Sequence, residues 1–327
     1  MTDPSMIPHD TVRAVPAGRV VYGMQLPIQS QSTLYVAEWE KTAGPDALAR
    51  IARVADESGY FYVGVCDHTA IPRRLADAMG TIWYDTTATL GWLAALTSRT
   101  NLLSHVLILA QRHPLRAAKE LSTLDVLSGG RLIVGVGAGH VPEEYELLTG
   151  NFDERGRHTD EAVSALARAF TAEFPELPGP RFPASDMGVA PRPIRQPRPP
   201  IWIGGSSPAA IRRTAAFGDG WLPQGTRRRD LPGQIARLRA LRAELRGDAP
   251  IDIGTIVEPI HLSASRASWD LPAYVLRGGA DEVASSLREL TSMGVNHLQV
   301  RFMARSAEEF CEQTALFGAE VGPLLNG

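Results

Sequence analysis

Eight times along its length the chain passes from a short apolar, β-like run into a segment with helical spacing. The β-like runs cover residues 20–26, 60–66, 102–109, 132–136, 201–203, 220–222, 251–262 and 297–302. Helical patterns follow at 46–58, 85–97, 114–127, 153–171, 208–217, 231–246, 280–293 and 306–321. Strands that alternate with helices lie parallel, with the helices outside. Eight such units in 327 residues favour a closed (β/α)8 TIM barrel, an α/β fold, over an open sheet. A doubly wound sheet would need its glycine turn in the first unit. Here Gly135, Gly137 and Gly139 end the fourth, their spacing departs from G-x-G-x-x-G, and no acidic strand end follows at the right offset.

Two stretches fall outside the repeat. Residues 1–18 carry no basic-then-apolar leader and read as a flexible N-terminal arm ahead of one domain, 19–327. Residues 174–200 are proline-dense and aperiodic, a Pro-rich insertion loop after the fourth barrel helix that either covers a site or merely connects. No apolar run is long enough to span a membrane, and a net charge of −3 leaves no nucleic-acid footprint. A cytoplasmic protein is expected. Cys66 and Cys311 form neither a disulfide framework nor a zinc cluster, and the histidines are too scattered for a metal triad. The run Arg227, Arg228, Arg229 is a solvated loop or a phosphate contact.

Active sites of such barrels sit at the C-terminal strand ends. That rule selects Gln25, Asp67, His68, Ser104, His105, Gln111, His113, Gly137, Gly139, His140, Glu143, Gly204, Gly205, Ser206, Trp221, Gln224, Glu258 and Arg301. His68 is the strongest acid-base candidate, because imidazole exchanges protons near neutrality. The plainer reading is that Asp67 caps a turn and His68 packs. His140 and Glu143 offer a second proton-transfer group, or a helix start that favours acids. Gly204 to Ser207 is a glycine-rich strand-to-helix turn whose free amides and hydroxyls suit a phosphate.

Three segments together resemble the luciferase-like monooxygenase superfamily. They are HPLRAAKELSTLDVLSGGRLIVGVGAGHVPEEY (113–145), RPPIWIGGSSPAAIRRTAAFGDGWLP (198–223) and VCDH (65–68). Within it the chain is most similar to the class that uses the deazaflavin coenzyme F420. The resemblance implies a bacterial luciferase-like barrel with the ring over the strand ends and the phosphate tail toward Gly204, Gly205, Ser206 and Ser207. It implies a non-prolyl cis peptide at Ser104-His105, a cofactor-facing pair at Asp67 and His68, and ring approach over Gly137, Ala138 and Gly139. Glu143 would be a polar cofactor contact. The implied activity is hydride transfer between the deazaflavin and a small organic substrate, with His68 and His140 as catalytic residues. A separate reductase or dehydrogenase would supply reduced cofactor, and a homodimer is the family expectation. Two rivals are an FMN-dependent monooxygenase using reduced flavin and oxygen, and a non-catalytic flavin- or deazaflavin-binding protein. Two departures stand out. Sugar-phosphate dehydrogenases of the family carry a tryptophan where this chain has Pro72 and a glutamate where it has His140. A sugar phosphate is therefore a poor substrate for this chain. The loops 29–42, 69–84 and 174–200 shape the pocket, with Trp39, Trp83 and Tyr84 as aromatic candidates.

Overall fold

A computed structural model describes residues 10–30, 36–263 and 269–326. Residues 1–9 of the expected arm and 31–35 of the first pocket loop lie outside the described residues. The strands are β1 (Val21–Gln25), β2 (Tyr62–Val65), β3 (Asn101–Ser104), β4 (Leu107–Ile108), β5 (Leu132–Gly137), β6 (Ile201–Gly204), β7 (Gly220–Leu222), β8 (Asp252–Ile256), β9 (Ile260–Leu262), β10 (Leu276–Gly278) and β11 (His297–Gln299). The helices are α1 (Pro45–Glu57), α2 (Ala76–Met79), α3 (Thr86–Leu96), α4 (Pro114–Leu127), α5 (Pro142–Thr149), α6 (Arg155–Thr171), α7 (Pro208–Phe217), α8 (Leu231–Arg246), α9 (Ala280–Ser292) and α10 (Ala307–Leu316).

All strand pairs are parallel, and the ring closes. β1 pairs with β2 and β11, β2 with β3, β3 with β5, and β5 through β6, β7 and β8 back to β11. β4 continues the third barrel strand after a break and pairs with β5. Strands β2, β5, β6 and β7 are buried throughout, which is why they read as plain apolar runs rather than alternating ones. Helix starts are set by short-range chemistry. Asp85 accepts the Ala88 N–H at 2.8 Å, Ser207 that of Ala210 at 3.1 Å, and His113 precedes the proline of α4 while its Nδ1 accepts from Leu115. The expected strand at 251–262 is instead two strands. Pro259 cannot donate to a ladder, and beyond it β9 leaves the barrel to pair with β10. No described helix is long and apolar enough to cross a membrane.

The described part of the expected arm is pinned rather than free. Val12 N–H donates to Asp219 Oδ1 at 3.0 Å, and the Ala14 and Val15 N–H groups donate to Asp252 Oδ2 at 3.1 and 3.2 Å. Asp10 pairs with Arg198 at 2.8 Å. Ala14 and Val15 pack against Tyr62, Leu103, Ile133, Trp202 and Leu222, so this segment plugs the N-terminal end of the barrel. The insertion 174–200 lies along the outside of α4 and α6. Glu161 Oε1 accepts the Arg181 and Phe182 N–H groups, and Asp125 Oδ2 accepts those of Ile194 and Arg195.

Candidate active site

The turn after β2 delivers His68 to the C-terminal end of the barrel. Its Nδ1 lies 2.9 Å from Glu144 Oε2, with side-chain exposures of 8% and 1%. Glu144 Oε1 accepts the Thr69 N–H at 2.5 Å and the Ala70 N–H at 3.1 Å. Burial opposes the Glu144 charge, yet His68 and the two amides hold its pKa below the ordinary carboxylate value. The Trp83 ring meets His68 edge-on at 4.5 Å, and the His140 ring does so at 5.3 Å. His140 stands at the rim. Desolvation first, and His68 second, lower its pKa. The indole that Pro72 cannot provide thus reaches His68 from a later position in the same loop. Trp39 turns elsewhere, its Nε1 donating to the Ala304 carbonyl at 3.0 Å.

Two expected cofactor contacts have other tasks. Asp67 takes a two-pronged ion pair from Arg112 at 2.7 and 2.9 Å and the Ile108 N–H at 2.8 Å, while the nearby Thr86 hydroxyl donates to the Cys66 carbonyl at 2.6 Å. Both of its oxygens are engaged within the protein, so it braces β2 against β4. Glu143 points outward to Arg74 and ties the 69–84 loop to α5. The buried carboxylate is its neighbour, Glu144. A helical signal existed: Val141 and Tyr145 are buried four residues apart, and Glu144 shares their face whereas Glu143 does not.

The third barrel strand breaks at a non-prolyl cis peptide between His105 and Val106, one step later than the expected Ser104-His105. The Ser104 hydroxyl donates to the Gly135 carbonyl at 2.9 Å, inside the barrel wall. His105 is buried, which pulls its pKa down to about 4. Val106 bulges over the barrel axis, where β5 and β6 carry no side chains. A Cβ at Gly137 would stand 2.5 Å from Val106 Cγ2, and one at Gly204 2.9 Å from Val106 Cγ1. These glycines make room for the valine. Any ring at this face meets Val106 rather than bare backbone. Ala138 and Gly139 are half-buried beyond them. Gly137→Ala should cost about 1–3 kcal/mol by overpacking, and Val106→Ala in the same chain should restore most of it, read from urea midpoints.

At the Gly204 to Ser207 turn the hydroxyls are already engaged. Ser206 Oγ donates to the Gln224 carbonyl and accepts its N–H, both at 2.9 Å, and Ser207 caps α7. Gly205 sits at φ +107°, a conformation glycine tolerates, and the exposed start of α7 is what can meet an anion. Of the arginine run, Arg228 pairs with Glu289 at 3.0 Å. Among the described residues no group of three or more His, Cys, Asp or Glu side chains is disposed to hold a metal.

The family model for luciferase-like monooxygenases matches residues 21–285. The uncharacterized protein Rv0940c of Mycobacterium tuberculosis is 32% identical over 276 residues, 80% of this chain and 92% of its own. The F420-dependent glucose-6-phosphate dehydrogenase of Kineococcus radiotolerans is 26% identical, over 89% of this chain and 96% of its own. The FMNH(2)-dependent dimethylsulfone monooxygenase of Pseudomonas putida is 31% identical over 133 residues, 40% of this chain and 37% of its own. Among solved structures, the monooxygenase RslO1 from Streptomyces bottropensis superposes with a TM-score of 0.73 at 23% identity, covering 93% of this chain and 99% of its own. With the closed barrel and the extent of the family match, the chain belongs to the luciferase-like monooxygenase family.

Proposed function

We propose that this chain is an F420-dependent oxidoreductase that moves a hydride between the deazaflavin and a small uncharged organic substrate. The observation that carries the reading is the buried His68–Glu144 pair, a proton-handling group at the C-terminal strand ends of the barrel. A tricyclic ring at this face would lie against the Val106 side chain, which Gly137 and Gly204 make room for. The exposed start of α7 at Ser207 would hold the phosphate. When bound, the deazaflavin supplies a ring carbon that gives or takes hydride. The chain's own residues do the rest. Trp83 covers one edge of the His68 ring. His68 Nε2, the ring nitrogen that Glu144 does not engage, gives or takes the substrate proton, and His140 stands beside it as the second such group. The F420-dependent relative spans nearly the whole chain, which supports this cofactor over flavin. The shorter match to the FMNH(2)-dependent monooxygenase favours the second reading, reduced FMN and oxygen. A separate reductase or dehydrogenase that supplies reduced cofactor belongs to either reading.

Fluorescence titration with F420 and with FMN, followed by hydride-transfer and oxygen-consumption assays, separates the readings. Tight FMN binding without F420 binding overturns the first. Binding without turnover across a broad substrate panel points to a cofactor-binding protein. His68→Ala should leave cofactor affinity within a few fold and slow turnover by about 10²-fold or more, the usual weight of a positioned acid or base. Unchanged turnover removes His68 from the chemistry.

A further inference from the structure

We propose that Glu144 is a positioning residue that fixes His68 in the tautomer with its proton on Nδ1, leaving Nε2 as the working nitrogen. The role rests on the reading of His68 given above. The tautomer itself does not.

The geometry leaves the carboxylate one way to bond. Glu144 Oε1 faces two donors that cannot be anything else, the Thr69 and Ala70 N–H groups, at 2.5 and 3.1 Å. Oε2 faces His68 Nδ1 at 2.9 Å. An ionised carboxylate only accepts, so Nδ1 must carry the hydrogen and the neutral ring is bare at Nε2. Both side chains are nearly sealed from water, at 1% and 8% exposure, so solvent does not stand in for either partner. Glu144 stays ionised because three donors converge on it and because it lies in the first turn of α5, where the helix dipole favours a negative charge. The imidazole is also held against a ring flip. Trp83 lies edge-on at 4.5 Å and His140 at 5.3 Å. Glu144 further binds the two residues that follow His68, so the same carboxylate shapes the turn that carries the ring and selects its tautomer.

This predicts a specific consequence of Glu144→Gln. The Gln oxygen must stay with the Thr69 and Ala70 amides, because an NH2 group there would face two donors. Its NH2 is then turned to His68 Nδ1, which must become the acceptor. The replacement is nearly isosteric and inverts the tautomer.

The test is a two-bond 1H–15N spectrum of cofactor-free, 15N-histidine-labelled protein at about pH 8, where an ordinary imidazole is neutral. The His68 signals are assigned by their loss in His68→Ala. The wild type should show Nδ1 protonated and Nε2 bare, and Glu144→Gln should show the reverse. A wild-type ring protonated on Nε2, or a tautomer unmoved by the substitution, overturns the proposal; the wild-type result decides even where the variant does not fold. In turnover, Glu144→Gln should lower kcat by roughly 10²–10⁴-fold with KM within a few fold, as expected when a catalytic imidazole is held in the wrong tautomer. An inverted tautomer with unchanged kcat overturns the positioning role. Absence of any F420 turnover in the wild type, with the tautomer as stated, overturns the proposed function alone.

Discussion

Asp219→Ala is expected to destabilise the folded chain by about 3 kcal/mol, the lower end of the cost of breaking a buried ion pair, because Asp10 stays on the guanidinium. Asp219 has no exposed surface, and neither has Arg198, which donates to its two oxygens at 2.5 and 3.2 Å. The same carboxylate accepts the Ile201 N–H at 2.9 Å at the start of β6 and the Val12 N–H at 3.0 Å in the N-terminal segment. Removing it therefore leaves the guanidinium with Asp10 as its one carboxylate and two amides unpaired where water does not reach, and it loosens the plug under the barrel. The midpoint of urea unfolding reads the loss. The cause is separable from the packing change. Arg198→Met in the Asp219→Ala background removes the half-paired buried charge and should recover part of the stability. A double variant as weak as the single one would mean that the carboxylate acts through the amides instead.

This network shows where sequence reading ends. The eight units were legible because their cause is local: a strand buried on both faces is an apolar run, and glycine, proline or a capping residue closes each segment. The anchoring of the arm's described residues has no local sign, because their partners Asp219 and Asp252 lie more than 200 residues away in the chain. Asp67 presents the same difficulty at shorter range. Its chemistry as a strand-end carboxylate suggests a ligand, and nothing near it in sequence says that Arg112 arrives to occupy both oxygens. The break at Val106 is hidden for another reason, since residues 106–110 resume as a continuous apolar run that reads like more of the same strand. The histidines at the site were legible by type and position. Their carboxylate was one residue off, because Glu143 and Glu144 differ only in helical phase, and the apolar pair Val141 and Tyr145 was the clue to that phase. The glycines that end the fourth unit suggest room for a ligand, whereas the space over Gly137 is taken by the Val106 side chain.

Acid should destabilise this barrel from inside, beginning just below the ordinary imidazole value. Two imidazoles are enclosed by the strands, His105 at 6% and His297 at 1% exposure. Burial pulls His105 down to about 4 and His297 to about 3. His297 lies flat on Trp202 at 4.1 Å, and neither of its ring nitrogens has a hydrogen-bond partner among the described residues. In the unfolded chain both rings take a proton near the ordinary value of about 6.5. Between about pH 6.5 and 5 the unfolded state thus holds protons that the folded state refuses, so stability rises with pH across that window and is lost on acidification. Each ring approaches 1.4 kcal/mol per pH unit, and together they should remove about 4 kcal/mol between pH 8 and pH 5. Urea midpoints at the two pH values measure the loss. In His297→Leu the difference between them should shrink by about half. Reading a difference cancels the change in packing against Trp202, and it cancels the contributions of His140 and His158, which are common to both proteins. An equal loss in wild type and variant would mean that the His297 ring is already charged in the folded barrel and that some group supplies the missing hydrogen bonds.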